Sequence, residues 1–251
     1  LRVPAAIDVV DAEALRLAQP QIQLSEALVR VPGLVVRDRN NQAQDLQISI
    51  RGFGARASFG VRGVRLYTDG IPATMPDGQG QVSHFGLEAA QRIEVLRGPF
   101  SALYGNAAGG VISLFTADAP DVATLGLGQV LGADGLRRTS LAWRAPWGPQ
   151  DANSARLDLA QVDSDGYRDH SRSRRQNGQA LLKGANGDDG RYTLVVNHLD
   201  LRALDPQGLT AAQLQGDRRA ASAGALLFNT RKTVRQTQVG GQYEHELGDA
   251  H

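Results

Sequence analysis

The stretch RIEVLRGPFSALYGNAAGGVIS, residues 92–113, holds the local signals that decide the fold of the first half of the chain. Residues 92–96 predict a β-strand, and Gly98-Pro99 ends it, because proline cannot donate to a strand ladder. Residues 101–104 predict a helical turn, and a last strand is predicted over residues 111–115. The glycines of this stretch permit positive φ, or close backbone approach where a Cβ would clash. The stretch therefore predicts two strands joined by a tight, glycine-rich connection.

Short elements precede this stretch. A serine hydroxyl can accept a hydrogen bond from a first-turn backbone N–H, so Ser25 predicts the N-cap of a helix over residues 26–30. One or two helical turns are predicted at residues 87–91, and Asp69-Gly70 predicts a tight turn with positive φ. Strands are predicted at residues 7–10, 34–36, 46–50 and 64–68. Residues 1–120 therefore predict a small α+β domain with many loops.

From residue 121 onward, apolar and polar residues alternate in long runs separated by spacers rich in Gly, Asp and Asn. Such runs are typical of outer-membrane β-barrel strands, which present apolar side chains outwards and polar side chains inwards. A soluble antiparallel sheet with one solvated face gives the same alternation. Connections that are short at 132–135 and 187–190 and longer at 164–173 and 203–231 favour the barrel, as loops on the two sides of a membrane.

The strand count indicates an unfinished barrel. Residues 121–251 predict about six strands, whereas the smallest membrane barrels have about eight and plugged transporters about 22. Open strand edges are not tolerated in lipid, so we expect a piece of a longer protein that forms an open, curved sheet. The longest connection, residues 203–231, fits an extracellular loop, with Thr210 as the N-cap of a helix.

Composition excludes several classes of protein. The chain has 251 residues, 27 Lys plus Arg against 26 Asp plus Glu, and no cysteine. The lack of cysteine excludes a disulfide scaffold, a zinc ribbon and a cysteine nucleophile. A net charge of +1 gives no bulk attraction for nucleic acid. No apolar run reaches the length of a transmembrane helix, and we expect no signal peptide.

No motif indicates an enzyme, a cofactor or a metal site. Residues 52–57 fit the dinucleotide pattern GxGxxA, but no helical period follows them, so a loop is the better interpretation. Residues 77–81 offer one carboxylate, too few for a calcium loop. None of the five histidines stands at metal-ligand spacing, and the nucleophile motif GxSxG is absent.

Residues 92–113 strongly resemble the end of the plug domain of TonB-dependent outer-membrane receptors. Three upstream segments occur in the order of that family: LSEALVRVPGL at 24–34, ISIRGFG at 48–54 and YTDGIP at 67–72. Residues 204–210, LDPQGLT, are similar to an early barrel loop of its siderophore receptors. The resemblance implies an α+β plug domain at 1–120, followed by antiparallel transmembrane β-barrel strands at 121–251, with the barrel incomplete in this chain.

The same resemblance implies functional residues. Apical plug loops, here residues 54–63 and 72–83, touch the ligand in this family, and Arg and Gln side chains can donate to an anionic ferric chelate. The ligand-binding residues expected there are Arg56, Asp77, Gln79 and Gln81. Arg51 and Arg97 would lie on a domain enclosed by the barrel wall, where a guanidinium must be paired. We expect both to face carboxylates of the barrel interior and so to seat the plug; the alternative is that both are solvated.

The function expected from the resemblance is import of a ferric siderophore or a similar iron chelate across the outer membrane, with the plug gating the barrel. The expected partners are the chelate, outer-membrane lipid and the TonB energy-coupling protein, whose binding segment would precede residue 1. Alternatives with the same fold are import of cobalamin, copper or a glycan, and a signalling receptor; a soluble adhesin is a further alternative. Copper is disfavoured because the chain has no cysteine and a single methionine, Met75.

Overall fold

The computed structural model describes residues 6–16, 20–57, 60–74, 78–80, 86–98, 101–105, 107–118, 121–148, 153–187 and 189–246. Within these ranges, no helix is both long and apolar enough to cross a membrane. The chain forms an N-terminal unit up to Asp118 and a C-terminal sheet from Thr124 to His245.

The N-terminal unit is built on a five-stranded mixed sheet with the order β1-β6-β7-β4-β5, in which only β4 and β7 are parallel. Strands β2 and β3 form a separate antiparallel ribbon. The elements are β1 (Ala6–Asp11), α1 (Ala12–Arg16), α2 (Leu24–Leu28), β2 (Leu34–Arg37), β3 (Gln47–Ile50), β4 (Val64–Thr68), β5 (Ile71–Pro72), β6 (Ala90–Arg97), α3 (Ser101–Tyr104) and β7 (Gly110–Thr116).

One hydrophobic core holds this unit together. Alternate residues of β4, β6 and β7 point to the same side and pack on the ribbon and α2, which buries their apolar area. Its fully buried side chains include Leu28, Ile48, Ile50, Leu66, Ile93, Ile112 and Leu114. The predicted tight turn is confirmed, since φ is 48° at Asp69 and 78° at Gly70. Gly110 has φ of 139°, and a Cβ there would collide with the carbonyl oxygen of Leu96.

The C-terminal sheet is an antiparallel meander in which each strand pairs with the next along the chain. Its strands confirm the alternating runs predicted from the sequence. They are β8 (Thr124–Leu131), β9 (Arg137–Trp147), β10 (Asn153–Ser164), β11 (Ser173–Asn186), β12 (Gly190–Leu204) and β13 (Arg231–His245), with α4 (Ala211–Gly216) and α5 (Ala223–Phe228) between the last two. The N-cap predicted at Thr210 is confirmed, because its hydroxyl accepts from the backbone N–H of Gln213.

Two predicted helix positions are wrong. Helix α2 begins at Leu24 after the N-cap Gln23, so Ser25 lies inside the first turn. A longer acidic side chain, Glu26, accepts from the backbone N–H of the N-cap Gln23 and from those of Gln21 and Ile22 just before it. Residues 87–91 form a turn and the start of β6, because pairing of Ala90 and Arg92 with β7 extends that strand over residues of helical propensity.

The grouping of the sheet connections is also corrected. In a meander, successive connections alternate between the two ends whatever their length. Residues 132–136 therefore lie at the same end as 165–172 and 205–230, which we call the long-loop end. The carbonyl of Asp134 accepts from the backbone N–H groups of Asp165 at 3.0 Å and Gly166 at 3.3 Å, which joins these loops directly. The opposite end, with the connections after β9 and β11, is called the short-turn end.

Candidate functional site

The loops expected to bind ligand are tied together by backbone hydrogen bonds. The N–H of Val61 donates to the carbonyl of Gly80 at 2.9 Å, and the N–H of Gly80 donates back at 2.8 Å. Beside this bridge, the Arg62 guanidinium donates to Oε1 of Gln79 at 3.3 Å. The described parts of the two loops, residues 54–57 and 60–63 with 72–74 and 78–80, are thus one surface around the Val61–Gly80 bridge.

The structure brings some of the expected ligand residues to this surface. Gln79 lies on it, next to Arg62, and Arg56 is exposed on the adjoining turn at residues 54–56. Asp77 and Gln81 lie outside the described residues. Arg62 was not singled out from the sequence; as a cation within the same predicted loop, it could have been.

The position of this surface follows from contacts of β5 with β13. Gly70 lies against the side chain of Gln242, whereas the carbonyl of Pro72 accepts from Nε2 of Gln238 at 2.7 Å. Because Gln238 is nearer than Gln242 to the beginning of β13, the chain from Gly70 to Pro72 runs towards the long-loop end. The loop that follows Pro72 therefore starts in that direction.

The two arginines expected to seat the N-terminal unit have different surroundings. Nη2 of Arg97 lies 2.6 Å from Oδ2 of Asp8, and its Nη1 donates to the carbonyl of Pro32 at 2.8 Å. Both partners belong to the N-terminal unit itself. Arg51 is exposed, with φ of 49°; its backbone N–H donates to the carbonyl of Gly33 at 3.1 Å, and its side chain makes no hydrogen bond or ion pair within the described ranges. Contact of either with barrel carboxylates stays a prediction.

Cations from the sheet hold the turn that precedes β6. Arg138 of β9 forms an ion pair with Glu88, and only 5% of the arginine side chain is exposed. Arg156 of β10 donates to the carbonyls of Glu88 at 2.7 Å and Ala89 at 3.2 Å. The Arg156 charge is balanced by Asp158, which forms a buried ion pair with it on the same strand. The carboxylate and the carbonyl acceptors together offset the free-energy cost of burying the Arg156 guanidinium.

A second cation holds the Asp-Gly turn nearer the short-turn end. Nζ of Lys183, on β11, lies 3.5 Å from Oδ1 of Asp69 and donates to the carbonyl of Thr116 at 3.2 Å. Asp69 also accepts from the backbone N–H of Thr116 at 2.9 Å and from its hydroxyl at 2.7 Å. Lys183 thus contacts both the β4–β5 turn and the end of β7.

Contacts at the long-loop end involve the residues around α2 and the loop before β3. Arg175 donates to the carbonyl of Ile22 at 2.6 Å, and Lys232 forms an ion pair with Asp45. In the opposite sense, Asp205 accepts from Asn41 at 2.8 Å and from Gln44 at 2.7 Å. Small apolar clusters accompany these polar contacts: Ala43 with Leu199, Leu201 and Ala203, and Ile71 with Leu181 and Val195.

The boundary between unit and sheet is polar and leaves room for water. A cavity of about 40 Å³, lined by Ile22, Leu87 and Arg175 among others, has room for a water molecule. Burial raises the pKa of the nearby Glu26 carboxyl, although three backbone hydrogen bonds and the charge of Arg175 act in the opposite direction. The two amide atoms of Gln179 are buried with no partner among the described residues, which is the setting for ordered water.

The strand alternation in the sequence could have indicated the four cations that contact the N-terminal unit. Arg138, Arg156, Arg175 and Lys183 all stand on the side of the alternating strands that faces the N-terminal unit. A charged residue at an inward position of a predicted barrel strand is a candidate for contact with whatever fills the lumen.

Comparison with known proteins supports the fold and its class. Residues 1–111 match the TonB-dependent Receptor Plug Domain family. The chain is 30% identical over 131 residues to the Ferric enterobactin receptor PirA of Pseudomonas aeruginosa, a match that covers 46% of this chain and 17% of the relative. It is 35% identical over 116 residues to the Iron-regulated outer membrane virulence protein of Vibrio cholerae, covering 45% of this chain and 17% of that protein.

The solved structures agree with the sequence comparisons. The unliganded ferric citrate transporter FecA superposes with a TM-score of 0.71 at 23% identity, over 86% of this chain and 34% of that chain. The match to PirA spans 17% of its length, so what is described here corresponds to a part of such a receptor. The match of the plug family, the order of the elements and these neighbours lead to one conclusion: residues 1–111 belong to the TonB-dependent receptor plug domain family, and the antiparallel strands that follow have the fold of a part of the barrel of such receptors.

Proposed function

We propose that the complete receptor imports a ferric siderophore or a similar iron chelate across the outer membrane, with the plug inside the barrel as the gate. The observation that carries this proposal is the sequence similarity of this chain, over 131 residues, to a protein named as a ferric enterobactin receptor. The homologues are receptors and transporters, which supports a function other than catalysis.

The ligand would bind at the surface around the Val61–Gly80 bridge. Arg56 and the Arg62–Gln79 pair offer hydrogen-bond donors there, as an anionic chelate requires. Asp77 and Gln81 complete the proposed set on the same loop. We place this surface towards the outside of the cell, because the β4–β5 hairpin runs to the long-loop end of the sheet.

The gate would consist of the contacts that join the plug to the C-terminal sheet, which we call the wall because it is part of the barrel wall. Arg138 and Arg156 both bind the Glu88–Ala89 turn of the plug, through an ion pair and backbone carbonyls, and Lys183 binds the plug separately at Asp69. Energy supplied through the TonB protein would have to exchange these contacts for water. A polar boundary with room for water lowers the cost of that exchange, since water replaces each hydrogen bond as it is lost.

Other cargoes remain alternatives, because a fold shared with iron transporters does not determine what is carried. Cobalamin and glycans would also use hydrogen-bond donors, and a signalling role would add to transport. Copper is the least favoured, since the chain has no cysteine and one methionine as soft ligands.

The test is a titration of the complete receptor with ferric enterobactin, ferric citrate, cobalamin and Cu²⁺, followed by intrinsic fluorescence. We expect one ferric chelate to bind and Arg56→Gln to weaken it, since one charge-assisted hydrogen bond contributes about 1.5–3 kcal/mol. Arg30→Gln, an exposed arginine outside the two loops, is the matched control. Tight binding of cobalamin without binding of any chelate would end the iron proposal.

A further inference from the structure

The outward face of the sheet is organised in rows by the strand register. Cross-strand partners define each row, and the opposite face carries Arg138, Arg156 and Lys183 towards the plug. The row nearest the long-loop end contains Leu131, Arg137, Asp163, Arg174, Arg202 and Thr233. The next row contains Gln129, Thr139, Gln161, Gln176, Asp200 and Arg235. We call the charged members of these two rows the charged belt.

Below the charged belt the same face becomes apolar. Two rows further towards the short-turn end, the partners are Leu125, Trp143, Leu157, Ala180, Val196 and Val239. Three aromatic residues, Trp147, Tyr192 and Tyr243, stand at the far end of this apolar surface. A band of apolar side chains that ends in aromatic residues matches the profile of a membrane. The charged belt therefore lies at the level of lipid headgroups on the long-loop side, given the proposed location in the outer membrane.

The charged belt has more cations than its own carboxylates can neutralise. Arg137, Arg174, Arg202 and Arg235 share two carboxylates, those of Asp163 and Asp200. The belt carries a net charge of two positive units by this count of its members.

The register places two of these cations against each other. Arg174 and Arg202 are direct cross-strand partners, an arrangement in which like charges repel. Each forms an ion pair with one neighbouring carboxylate. Nε of Arg174 lies 2.6 Å from Oδ1 of Asp163, and Nε of Arg202 lies 3.5 Å from Oδ1 of Asp200. Both arginine side chains remain about two-thirds exposed, 64% and 66%. An anion between them would remove the repulsion and accept from both guanidinium groups.

We propose that the charged belt binds the phosphate of an anionic membrane lipid, with Arg174 and Arg202 as its two principal donors. The lipid chains would then continue along the apolar rows beside Trp143 and Val196. Guanidinium groups suit this ligand, because their planar donors match phosphate oxygens bidentately. The combination of a charged belt and an apolar surface further along the same face, towards the short-turn end, distinguishes a lipid from a free phosphate ion.

The test uses the full-length receptor in dodecyl maltoside micelles, titrated with dioleoyl phosphatidic acid and followed by native mass spectrometry. Dioleoyl phosphatidylcholine and inorganic phosphate are titrated in parallel. The test variant is Arg174→Gln with Arg202→Gln. The control is Arg191→Gln with Arg218→Gln, which removes the same charge from exposed positions outside the belt.

We expect wild type and control to retain phosphatidic acid, and the test variant to bind it about thirtyfold more weakly, the effect of two arginines at a membrane surface. Inorganic phosphate should not displace the lipid. Equal retention by test variant and control would overturn the proposal, and so would equal binding of phosphatidylcholine or displacement by inorganic phosphate. Chelate titration of the same variants checks their fold and tests the import proposal separately.

Discussion

At the scale of single residues, Glu26 shows how one side chain fixes a local structure. Its two carboxylate oxygens accept from the backbone N–H groups of Gln21, Ile22 and Gln23 at 2.8–3.0 Å. Gln23 is the N-cap of α2, and Gln21 and Ile22 lie just before it, so Glu26 orders the entry to the helix. The segment so ordered presents the carbonyl of Ile22 to Arg175 of the sheet. One carboxylate therefore supports a contact between plug and wall.

A pH dependence follows from the burial of Glu26. Burial raises its pKa above the ordinary 4.5, so the folded plug binds this proton more readily than the unfolded chain does. The stability that Glu26 contributes to the folded plug is fully present at pH values below its ordinary pKa, and it is lost as the pH rises through its raised pKa. We expect amide-exchange protection of residues 20–28 in the full-length receptor, corrected for intrinsic rates, to fall across this window. Glu26→Gln should abolish the dependence.

The control for this experiment is Glu13→Gln, which removes an exposed carboxylate from the neighbouring helix α1. It should keep the pH dependence of wild type. If Glu26→Gln kept it as well, the titrating group would be a different one.

Prediction of single residues from the sequence succeeded where the local backbone conformation restricts the residue type. It failed where the contact partners are distant in sequence. The turn at Asp69-Gly70 was predictable because few residues accept positive φ. Glu88, by contrast, meets Arg138 from a strand 50 positions away, and no local pattern announces that pair. A still larger separation in sequence made the Arg97–Asp8 pair unpredictable.

At the scale of elements, the alternation of apolar and polar residues predicted the strands of the sheet, because each strand has one face towards the plug and one away from it. It could not predict the ends at which connections lie, since that depends on strand order. Helix α5 was not predicted, although Ser222 caps it as an ordinary N-cap residue does. Aromatic residues are few for a barrel, but three of the four on strands β8–β13, namely Trp147, Tyr192 and Tyr243, stand at one level of the outward face.

The two longest loops of the sheet are joined by Arg168. Its guanidinium donates to the carbonyl of Ala220 at 2.7 and 3.0 Å, to that of Pro206 at 3.3 Å, and to that of Gln207. We expect Arg168→Ala to accelerate amide exchange in residues 206–222 about tenfold, because several charge-assisted hydrogen bonds are lost. The measurement is hydrogen–deuterium exchange of the full-length receptor, and β12 and β13 should be unaffected.

Arg218→Ala is the matched control for that loop, as an exposed arginine between α4 and α5. Arg168→Lys provides a second comparison, because one ammonium cannot reach all three carbonyls in the geometry of a guanidinium. Unchanged exchange in Arg168→Ala would mean that α4 and α5 order the loop without it.

At the scale of the whole molecule, there are two alternative sets of arginines that could hold the plug in the barrel. The resemblance implied Arg51 and Arg97, facing carboxylates of the wall. Among the described residues, the contacts run mainly the other way, with cations on the wall and acceptors on the plug. Removing the partner of a buried charge is costly, about 3–5 kcal/mol, because the remaining charge stays desolvated. Arg138 is such a partner for Glu88.

We therefore expect Arg138→Ala to raise the leak conductance of the full-length receptor in planar bilayers above that of Arg97→Ala. Arg97 pairs with Asp8 inside the plug, so its loss should lower the stability of the plug without loosening it from the wall. Arg191→Ala, an exposed arginine on the inward side near the short-turn end, should leak as wild type does. A larger leak in Arg97→Ala would contradict this prediction. It would indicate that Arg97 contacts carboxylates of the barrel wall and that the residues implied by the sequence resemblance hold the plug in place.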